Sequence, residues 1–394
     1  MIRAIVNTKL VMEDGIIWDG ALTYENGRIV EAGWADQVTI PAGAEILDAQ
    51  GLYTAPGLVD IHCHGGNRIQ YVDDPMKCAE YFLSHGTTTT LATYTPTFSK
   101  ERMLEGGKRI REASKHGAGR IIAGIHMEGP YMNAMGGNQT KGQWPLVRGI
   151  VPEDYVPLIQ EMKDLIKMWA VDPAREGIEP FLQYAKQELP DLIFAYGHSR
   201  TDASVCRKFR HYGFRIRTHI GDAGQAKGRA QNLPGAGADQ LALYDPDLYA
   251  ELIVDQNGIH VVPDLVKLFI RTKGVEKIIL ITDGVGYEDL YPNNLEEGIH
   301  FGPDLNYDVR GYLSGSRMTF ENCVRNVMTH TGYGLCHAIR MATLNPAQFL
   351  GMDRDIGSIA AGKKANLILI DDAVHVKTVI LEGDLAVQDG QVLI

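Results

Sequence analysis

Short apolar runs alternate with longer helix-like segments across the middle of the chain, from about residue 55 to residue 351. The runs predict buried strands, and the segments between them predict helices with one buried face. This alternation favours parallel strands joined by crossover helices, and an eight-unit barrel needs about 250 residues. An open doubly wound sheet is the alternative, but no GxGxxG follows the first strand, so we predict a barrel. The predicted strands are residues 87–93, 121–127, 166–171, 192–196, 215–219, 250–254 and 278–282, and the predicted helices are residues 75–85, 100–116, 178–188, 201–212 and 263–273.

The two ends of the chain have a different pattern, in which short strands are separated by turns. Glu25-Asn26-Gly27 predicts a hairpin turn because Asn-Gly tolerates positive φ, and Glu382-Gly383-Asp384 predicts a second turn. Two β-rich ends around a different middle suggest one small domain assembled from both termini. We therefore predict an α/β protein with a small β-sandwich domain (residues 1–54 plus 354–394) and a TIM-like (β/α)8 barrel (residues 55–353).

Composition narrows the class of protein without naming an activity. The chain of 394 residues is 45% hydrophobic and carries a net charge of -11, which argues against a nucleic-acid partner. The five cysteines form no CxxC pair, as expected for reduced thiols in the cytoplasm. No apolar run approaches the ~20 residues that span a membrane. We expect a soluble, cytoplasmic protein without a membrane partner.

Polar residues gather at the predicted strand ends, where barrels carry their catalytic groups. Five strand ends carry side chains that can bind metals or transfer protons. Because the carboxyl ends of all barrel strands open on one mouth, we expect these side chains to converge. They are His62 and His64, His126 and Glu128, His198, His219, and Asp283.

The spacing of His62 and His64 places both imidazoles on one face of an extended chain. Two neutral imidazoles on one face can clamp a divalent ion, although a structural histidine pair is the alternative. Gly65 and Gly66 follow, and we expect them to end the strand and let the backbone turn sharply.

Glu128, His198 and His219 are candidate ligands of the same centre. The alternatives are a surface glutamate and two core histidines. His126 could share the face of Glu128 or hydrogen-bond behind it, so it stays outside the ligand set. Such ligands suit zinc, with iron, cobalt or manganese as alternatives, and one or two ions per chain.

Asp283 follows an apolar strand at a position where the chemistry needs a base. A carboxylate there can take a proton from an activated water and return it to a leaving amine. A helix N-cap is the alternative. His260, in the segment NGIH, could donate a hydrogen bond to a substrate carbonyl or hydroxyl.

These motifs resemble the amidohydrolase superfamily and, within it, the N-acetylglucosamine-6-phosphate deacetylases, over nearly the whole chain. The first-strand motif is PGLVDIHCHG (residues 56–65), and the metal-glutamate motif is GIHMEGPY (residues 124–131). The histidine motifs are GHS (197–199) and TH (218–219), and the aspartate motif is ITD (281–283). The segments LSGS (313–316), MATLNPA (341–347) and GSIAAGKKANL (357–367) are similar to the end of the family's barrel and its return to the small domain.

The resemblance implies a metal bound by Glu128, His198 and His219, with a second site completed by His62 and His64. It also implies an acid/base role for Asp283, a substrate contact for His260, and a homodimer. The family's reaction hydrolyses the acetamide of a phosphorylated amino sugar and releases acetate.

The chain departs from the family's pattern where the resemblance implies substrate recognition. Asp222, followed by Ala223, stands where the family has an asparagine that helps to hold the sugar phosphate. Asn232-Leu233-Pro234-Gly235 replaces a segment whose arginine reaches the phosphate, with Arg229 nearby but out of register, and Gln143-Trp144 replaces a pair that ends in a substrate-facing histidine. The expected substrate contacts are therefore His260, Gln143, Asp222, Ala223 and Arg229.

The sequence therefore predicts a metal-dependent amide hydrolase that removes an acetyl or other acyl group from an N-acetylated amino sugar. The expected substrate is N-acetylglucosamine 6-phosphate or a related N-acetylhexosamine, phosphorylated or not. The alternatives are an amidohydrolase acting on another N-acyl or cyclic amide, a deaminase, and a non-catalytic relative. Glu128 in its Glu-Gly-Pro motif argues against the cyclic amidases and deaminases, which commonly use a carbamylated lysine or extra histidines.

Overall fold

The computed structural model describes residues 1–133, 149–222, 235–286, 304–307 and 313–394. Gln143, Ala223 and Arg229, three of the predicted substrate contacts, lie outside the described residues. The chain begins with strands joined by tight turns, as predicted, and Asn26 and Gly27 of the first predicted turn have φ of 50° and 76°. These first strands are β1 (Arg3–Val11), β2 (Ile16–Glu25), β3 (Arg28–Trp34), β4 (Glu45–Asp48) and β5 (Tyr53–Pro56).

Eight parallel strands of the described chain form a nearly closed barrel in which each strand pairs with the next along the sequence. The first is β6 (Leu58–Cys63), followed by a small hairpin of β7 (Gly65–Gly66) and β8 (Ile69–Gln70). The barrel continues through β9 (Thr87–Tyr94), β10 (Ile122–Glu128), β11 (Ile166–Val171), β12 (Ile193–Tyr196), β13 (Phe214–Arg217), β14 (Tyr249–Leu252) and β15 (Ile278–Leu280).

The barrel closes between β15 and β6 through the residues that follow β15. The backbone N–H of Asp283 donates to the carbonyl of His62 (3.0 Å), and Cys63 forms a parallel bridge with Gly284. The Asp60 carboxylate accepts a hydrogen bond from the Thr282 hydroxyl (2.6 Å) across the same seam. Closure therefore brings the strand end of Asp283 beside the strand end of His62.

Helices cover the outside of the barrel, and the first two begin at side-chain caps. Before the first helix, the Asp74 side chain accepts from the backbone N–H of Lys77, and Pro75 occupies the first turn. The helices are α1 (Pro75–Ser84), α2 (Lys100–Ala113), α3 (Pro152–Met162), α4 (Ile178–Glu188), α5 (Ala203–Lys208), α6 (Ala238–Tyr244) and α7 (Pro263–Lys273). None of the helices in the described part of the chain has the length and apolarity needed to cross a membrane.

After the barrel strands the chain forms an antiparallel pair, three helices and the return strands. The pair is β16 (Leu305–Tyr307) and β17 (Leu313–Ser316), and the helices are α8 (Phe320–Thr331), α9 (Leu335–Ala342) and α10 (Leu344–Leu350). The return strands are β18 (Leu367–Ile370), β19 (Val376–Leu381), β20 (Asp384–Gln388) and β21 (Gln391–Val392).

The return strands join the first strands in one mixed sheet, because β18 pairs antiparallel with β5 while β5 pairs parallel with β1. The sheet order is β21-β20-β19-β18-β5-β1-β2-β3, with β4 beside β1. A separate core that includes Ile5, Leu22, Leu367 and Ile380 packs within it. The predicted barrel and the β-sandwich-like unit from both termini are thus confirmed, while the residue boundaries of the domains stay predictions.

Apart from shifts of one to three residues at several element ends, the structure differs from the predictions at two local points. The predicted helix over 201–212 ends at Lys208, and Arg210–Tyr212 forms a separate 3-10 turn. Gly65 and Gly66 do not supply the sharp turn, because the left-handed φ values belong to Asn67 (49°) and Arg68 (65°). A Cβ on Gly65 would lie 2.1 Å from the Ile69 carbonyl oxygen, so close backbone approach requires glycine there.

Candidate metal centre

The Glu128 carboxylate lies at the centre of the barrel mouth, at the end of β10, and is only 6% exposed. Four imidazoles surround it, each through its Nε2 atom. Oε1 lies 2.9 Å from His198, 3.2 Å from His219 and 3.6 Å from His62, and Oε2 lies 3.4 Å from His64. The side chains at these strand ends therefore meet in the barrel mouth, as predicted.

Asp283 provides a second carboxylate on the other side of His62 and His64. Its Oδ1 lies 3.4 Å from Nε2 of His62 and 3.2 Å from Nε2 of His64. The six side chains thus form two groups, Glu128 with His198 and His219, and Asp283 with His62 and His64. In each group the ligand atoms lie within 4.8 Å of one another.

Three of these residues have backbone conformations that L side chains rarely adopt. The φ angles are 42° at His198, 27° at His219 and 47° at Asp283. Such conformations cost on the order of 1–3 kcal/mol each, and they concentrate at functional sites where the surrounding structure holds them. Each occurs where the chain leaves a barrel strand, so the strand end directs the side chain into the mouth.

The residues fit a divalent ion. Nε2 of His62, which faces both carboxylates, is a buried nitrogen without a hydrogen-bond partner in the described chain. Imidazole nitrogen and carboxylate oxygen are ligands that zinc and its first-row neighbours accept. The fit supports a divalent ion without identifying which one.

The carboxylates and imidazoles shift one another's pKa values. Burial alone lowers the pKa of His62, but the charges of Glu251 and Glu128 outweigh burial and raise it to about 9. Burial alone raises the pKa of Glu128, but the neighbouring imidazoles of His198 and His62 hold it well below its usual range. The same opposition lowers the pKa of Asp283, chiefly through His64 and His62. Negative charge is therefore retained at the two carboxylates in the mouth.

Two buried carboxylates near this cluster were not identified from the sequence. Glu251 in β14 is fully buried, and its Oε2 lies 3.1 Å from Nδ1 of His62. Asp60 in β6 accepts from the backbone N–H of His62 (3.2 Å), and burial raises its pKa to about 7. The signal in each case was an acidic residue inside an apolar strand, which is costly unless the group is hydrogen-bonded.

His126 lies behind the cluster. Its ring is fully buried 4.6 Å from the ring of His62, and its Nδ1 lies 3.2 Å from the carbonyl oxygen of Ile61. Together with His62 and Glu251 it offers ligand atoms within 4.8 Å of one another. The geometry of His126 is therefore compatible with both interpretations made from the sequence, a metal ligand or a residue that hydrogen-bonds behind the ligands.

His260 and Asp222 lie at the edge of the cluster. Nδ1 of His260 donates to Asp255 Oδ2 (3.1 Å), while its Nε2 is buried without a hydrogen-bond partner in the described chain. Burial lowers the pKa of His260, but the hydrogen bond to Asp255 and the charge of Asp222 raise it overall. Asp222 Oδ2 lies 3.9 Å from Nδ1 of His219. Of the predicted substrate contacts, the structure thus places His260 and Asp222 beside the cluster.

The fold and the cluster together define a barrel protein with a candidate divalent-metal centre at the carboxyl ends of its strands. Residues 53–386 match the amidohydrolase family model. The chain belongs to the amidohydrolase family.

Its relatives include two sugar-phosphate deacetylases. It is 28% identical to N-acetylgalactosamine-6-phosphate deacetylase of Escherichia coli O157:H7, covering 96% of this chain and 97% of that protein. It is 26% identical to N-acetylglucosamine-6-phosphate deacetylase of Haemophilus influenzae, covering 96% and 98%. The crystal structure of N-acetylglucosamine-6-phosphate deacetylase from Pasteurella multocida superposes with a TM-score of 0.82 at 25% identity, covering 97% of this chain and 99% of that one.

Proposed function

We propose that this amidohydrolase removes the acetyl group from an N-acetylated amino sugar, N-acetylglucosamine 6-phosphate or a related N-acetylhexosamine. The observation that carries the proposal is the Glu128 carboxylate, which lies within 3.6 Å of four imidazoles beside Asp283. Full-length similarity to deacetylases of two N-acetylhexosamine 6-phosphates supports the substrate class.

Glu128, His198 and His219 would hold one divalent ion, and His62, His64 and Asp283 surround a second position. When bound, such an ion lowers the pKa of a water molecule from 15.7 toward ~7 and polarises the acyl carbonyl. Once the ion displaces their protons, the imidazoles would serve as neutral nitrogen ligands.

Asp283 is the proposed acid and base. Its carboxylate accepts a proton from the attacking water and then transfers it to the nitrogen of the departing amine, so that the amino sugar leaves neutral. The lowered pKa of Asp283 keeps it ionised before the reaction begins. At 8% exposure it is shielded from bulk water but adjoins the mouth.

His260 is the proposed contact for a substrate carbonyl or hydroxyl. Asp255 fixes the ring, accepting from its Nδ1 and from the backbone N–H groups of Ile259 and His260. The raised pKa of His260 favours the form in which Nε2 also donates.

A metal-dependent deacylation assay tests the proposed function. Protein stripped with a chelator should lose its activity and regain it with Zn²⁺, Co²⁺, Mn²⁺ or Fe²⁺, because the imidazoles and carboxylates need an ion to activate water. The measurement is acetate release from N-acetylglucosamine 6-phosphate, N-acetylgalactosamine 6-phosphate and both unphosphorylated sugars, with N-acyl amino acids as comparison substrates. Absence of acetate release from every sugar, with protein that has bound metal, would contradict the proposal.

The charge of Asp222 bears on whether the preferred sugar is phosphorylated. Its Oδ2 lies 3.9 Å from Nδ1 of His219, and its side chain is one-third exposed. A phosphate group held nearby would be repelled, since like charges ~4 Å apart repel by about 4 kcal/mol at an effective dielectric of 20. This observation favours a substrate in which a neutral or cationic group lies beside Asp222.

We expect Asp222→Asn to raise kcat/KM for the 6-phosphate sugars by about tenfold relative to the unphosphorylated sugars. The physical reason is removal of one negative charge with little change of shape, and a tenfold change needs only ~1.4 kcal/mol of the repulsion. The measurement is the ratio of kcat/KM for the two substrate types in both proteins. A ratio that stays constant or falls would show that Asp222 does not discriminate against phosphate.

A further inference from the structure

Glu251 occupies a position that neither the proposed chemistry nor the motifs account for. It lies in the middle of β14, where every residue is buried, and its own side chain is fully inaccessible. A buried carboxylate without strong partners is costly, by several kcal/mol. The contacts of Glu251 must therefore offset the cost of burying its carboxylate inside an apolar strand.

The hydrogen bonds of the Glu251 side chain lead to the candidate metal centre. Oε2 accepts from Nδ1 of His62 (3.1 Å) and from the backbone N–H of His219 (3.2 Å). The Glu251 carbonyl also accepts from the backbone N–H of Ile220 (2.8 Å). One residue thus connects the strand end of His62 with the strand end of His219.

The contact to His62 determines which ring nitrogen carries a proton. A carboxylate only accepts hydrogen bonds, so Nδ1 of His62 is the donor, and Nε2 is the nitrogen whose lone pair can bind a metal once the ring is neutral. That Nε2 lies 3.6 Å from Glu128 and 3.4 Å from Asp283, within the centre. A carboxylate behind a ligating histidine orients the ring and strengthens it as a donor to a metal.

Glu251 could instead be a ligand itself, since it forms a group with His62 and His126. The atom of His62 that faces Glu251 is Nδ1, whereas Nε2 faces Glu128 and Asp283. An ion bound by both Glu251 and His62 would need the lone pair of His62 Nδ1. The ring would then carry its proton on Nε2, and Nε2 could no longer bind an ion in the main centre. The geometry therefore favours an orienting role.

We propose that Glu251 is a positioning residue, which holds His62 and the His219 strand end so that the centre binds a divalent ion tightly. This inference rests on the metal centre of the proposed function. Glu251→Gln should weaken binding of Co²⁺ or Zn²⁺ by about 10- to 100-fold, the usual cost of removing such a partner.

The test is calorimetric titration of the chelator-stripped full chain with Co²⁺, together with the visible absorption spectrum of the Co²⁺-loaded protein. Glu321→Gln is the matched control, because Glu321 is also buried and accepts from a histidine, His85 Nδ1 at 2.9 Å, away from the centre. We expect the control to bind Co²⁺ as the wild type does. Glu251→Gln should bind it more weakly and, once saturated, show an altered absorption band because His62 is no longer oriented.

Unchanged Co²⁺ affinity and spectrum in Glu251→Gln would overturn the inference, as would an equal loss in Glu321→Gln. Should Glu251→Gln not fold, Glu251→Asp provides the same test, since it keeps the charge but withdraws the oxygens from His62 by one methylene group. Wild-type protein that takes up no ion contradicts the metal centre of the proposed function. Wild-type protein that binds Co²⁺ no better than Glu251→Gln contradicts this inference alone.

Discussion

Asp283→Asn should lower kcat for acetate release by about 10²- to 10⁴-fold while leaving KM close to its wild-type value. The range is what positioned proton transfer contributes in enzymes. An amide in place of the carboxylate keeps the shape but can neither accept the proton of the attacking water nor return it to the amine. The measurement is initial rates on the substrate from the sugar panel that the wild type turns over fastest.

Metal content has to be measured with these rates, because Oδ1 of Asp283 also lies within 3.4 Å of His62 and His64. We expect Asp283→Asn to retain the ion that Glu128, His198 and His219 surround. Asp371→Asn is a matched control, since Asp371 contacts a histidine, His375 at 3.0 Å, in the connection between β18 and β19 of the small sheet. A kcat within threefold of the wild type in Asp283→Asn would exclude the acid/base role.

Glu128→Gln should remove most bound metal and lower activity by about 10³-fold or more. Glu128 is the one described carboxylate with four imidazole nitrogens within 3.6 Å, so the change takes a negative charge from the centre of the cluster. A loss of about 4 kcal/mol, the order of what a metal supplies to the transition state, corresponds to that factor. The measurement is elemental analysis after gel filtration, followed by rates with and without added Zn²⁺.

Glu321→Gln serves as the comparison for Glu128→Gln, because it also removes a buried carboxylate that accepts from a histidine. We expect the comparison variant to keep its metal and its rate. If Glu128→Gln kept a full complement of metal, the ion would have to bind without the carboxylate of the group that Glu128 forms with His198 and His219, and the proposed arrangement would be wrong.

Much of this architecture could be read from local patterns. The predicted strand over 166–171 and the helices over 178–188 and 263–273 match the observed bounds, because buried strands and one-sided helices have distinct periods. The predicted meeting of His62, Glu128 and Asp283 also follows from one rule, that parallel barrel strands open their carboxyl ends on one mouth. Here the sequence was sufficient, since both the periods and the strand ends are local.

The helix over 201–212 and the glycines after His64 show where local patterns fail. The helix breaks after Lys208 into a 3-10 turn, with Gly213 at a φ of 96° before β13. Gly65 is required by the carbonyl oxygen of Ile69, which the hairpin brings against it. The contact between Gly65 and Ile69 cannot be seen in the sequence, because it is set by how the chain folds back.

By itself, the sequence determined the barrel, the sheet shared by both termini and the residues that reach the mouth, because each depends on periodicity and strand order. Only the tertiary structure decided how those residues are held. Glu251 contacts a histidine 189 positions away, and Asp60 reaches Thr282 across the closing seam, 222 positions away. A buried acid in an apolar strand looks unfavourable in sequence, and it is tolerated only when the closed barrel supplies its donors.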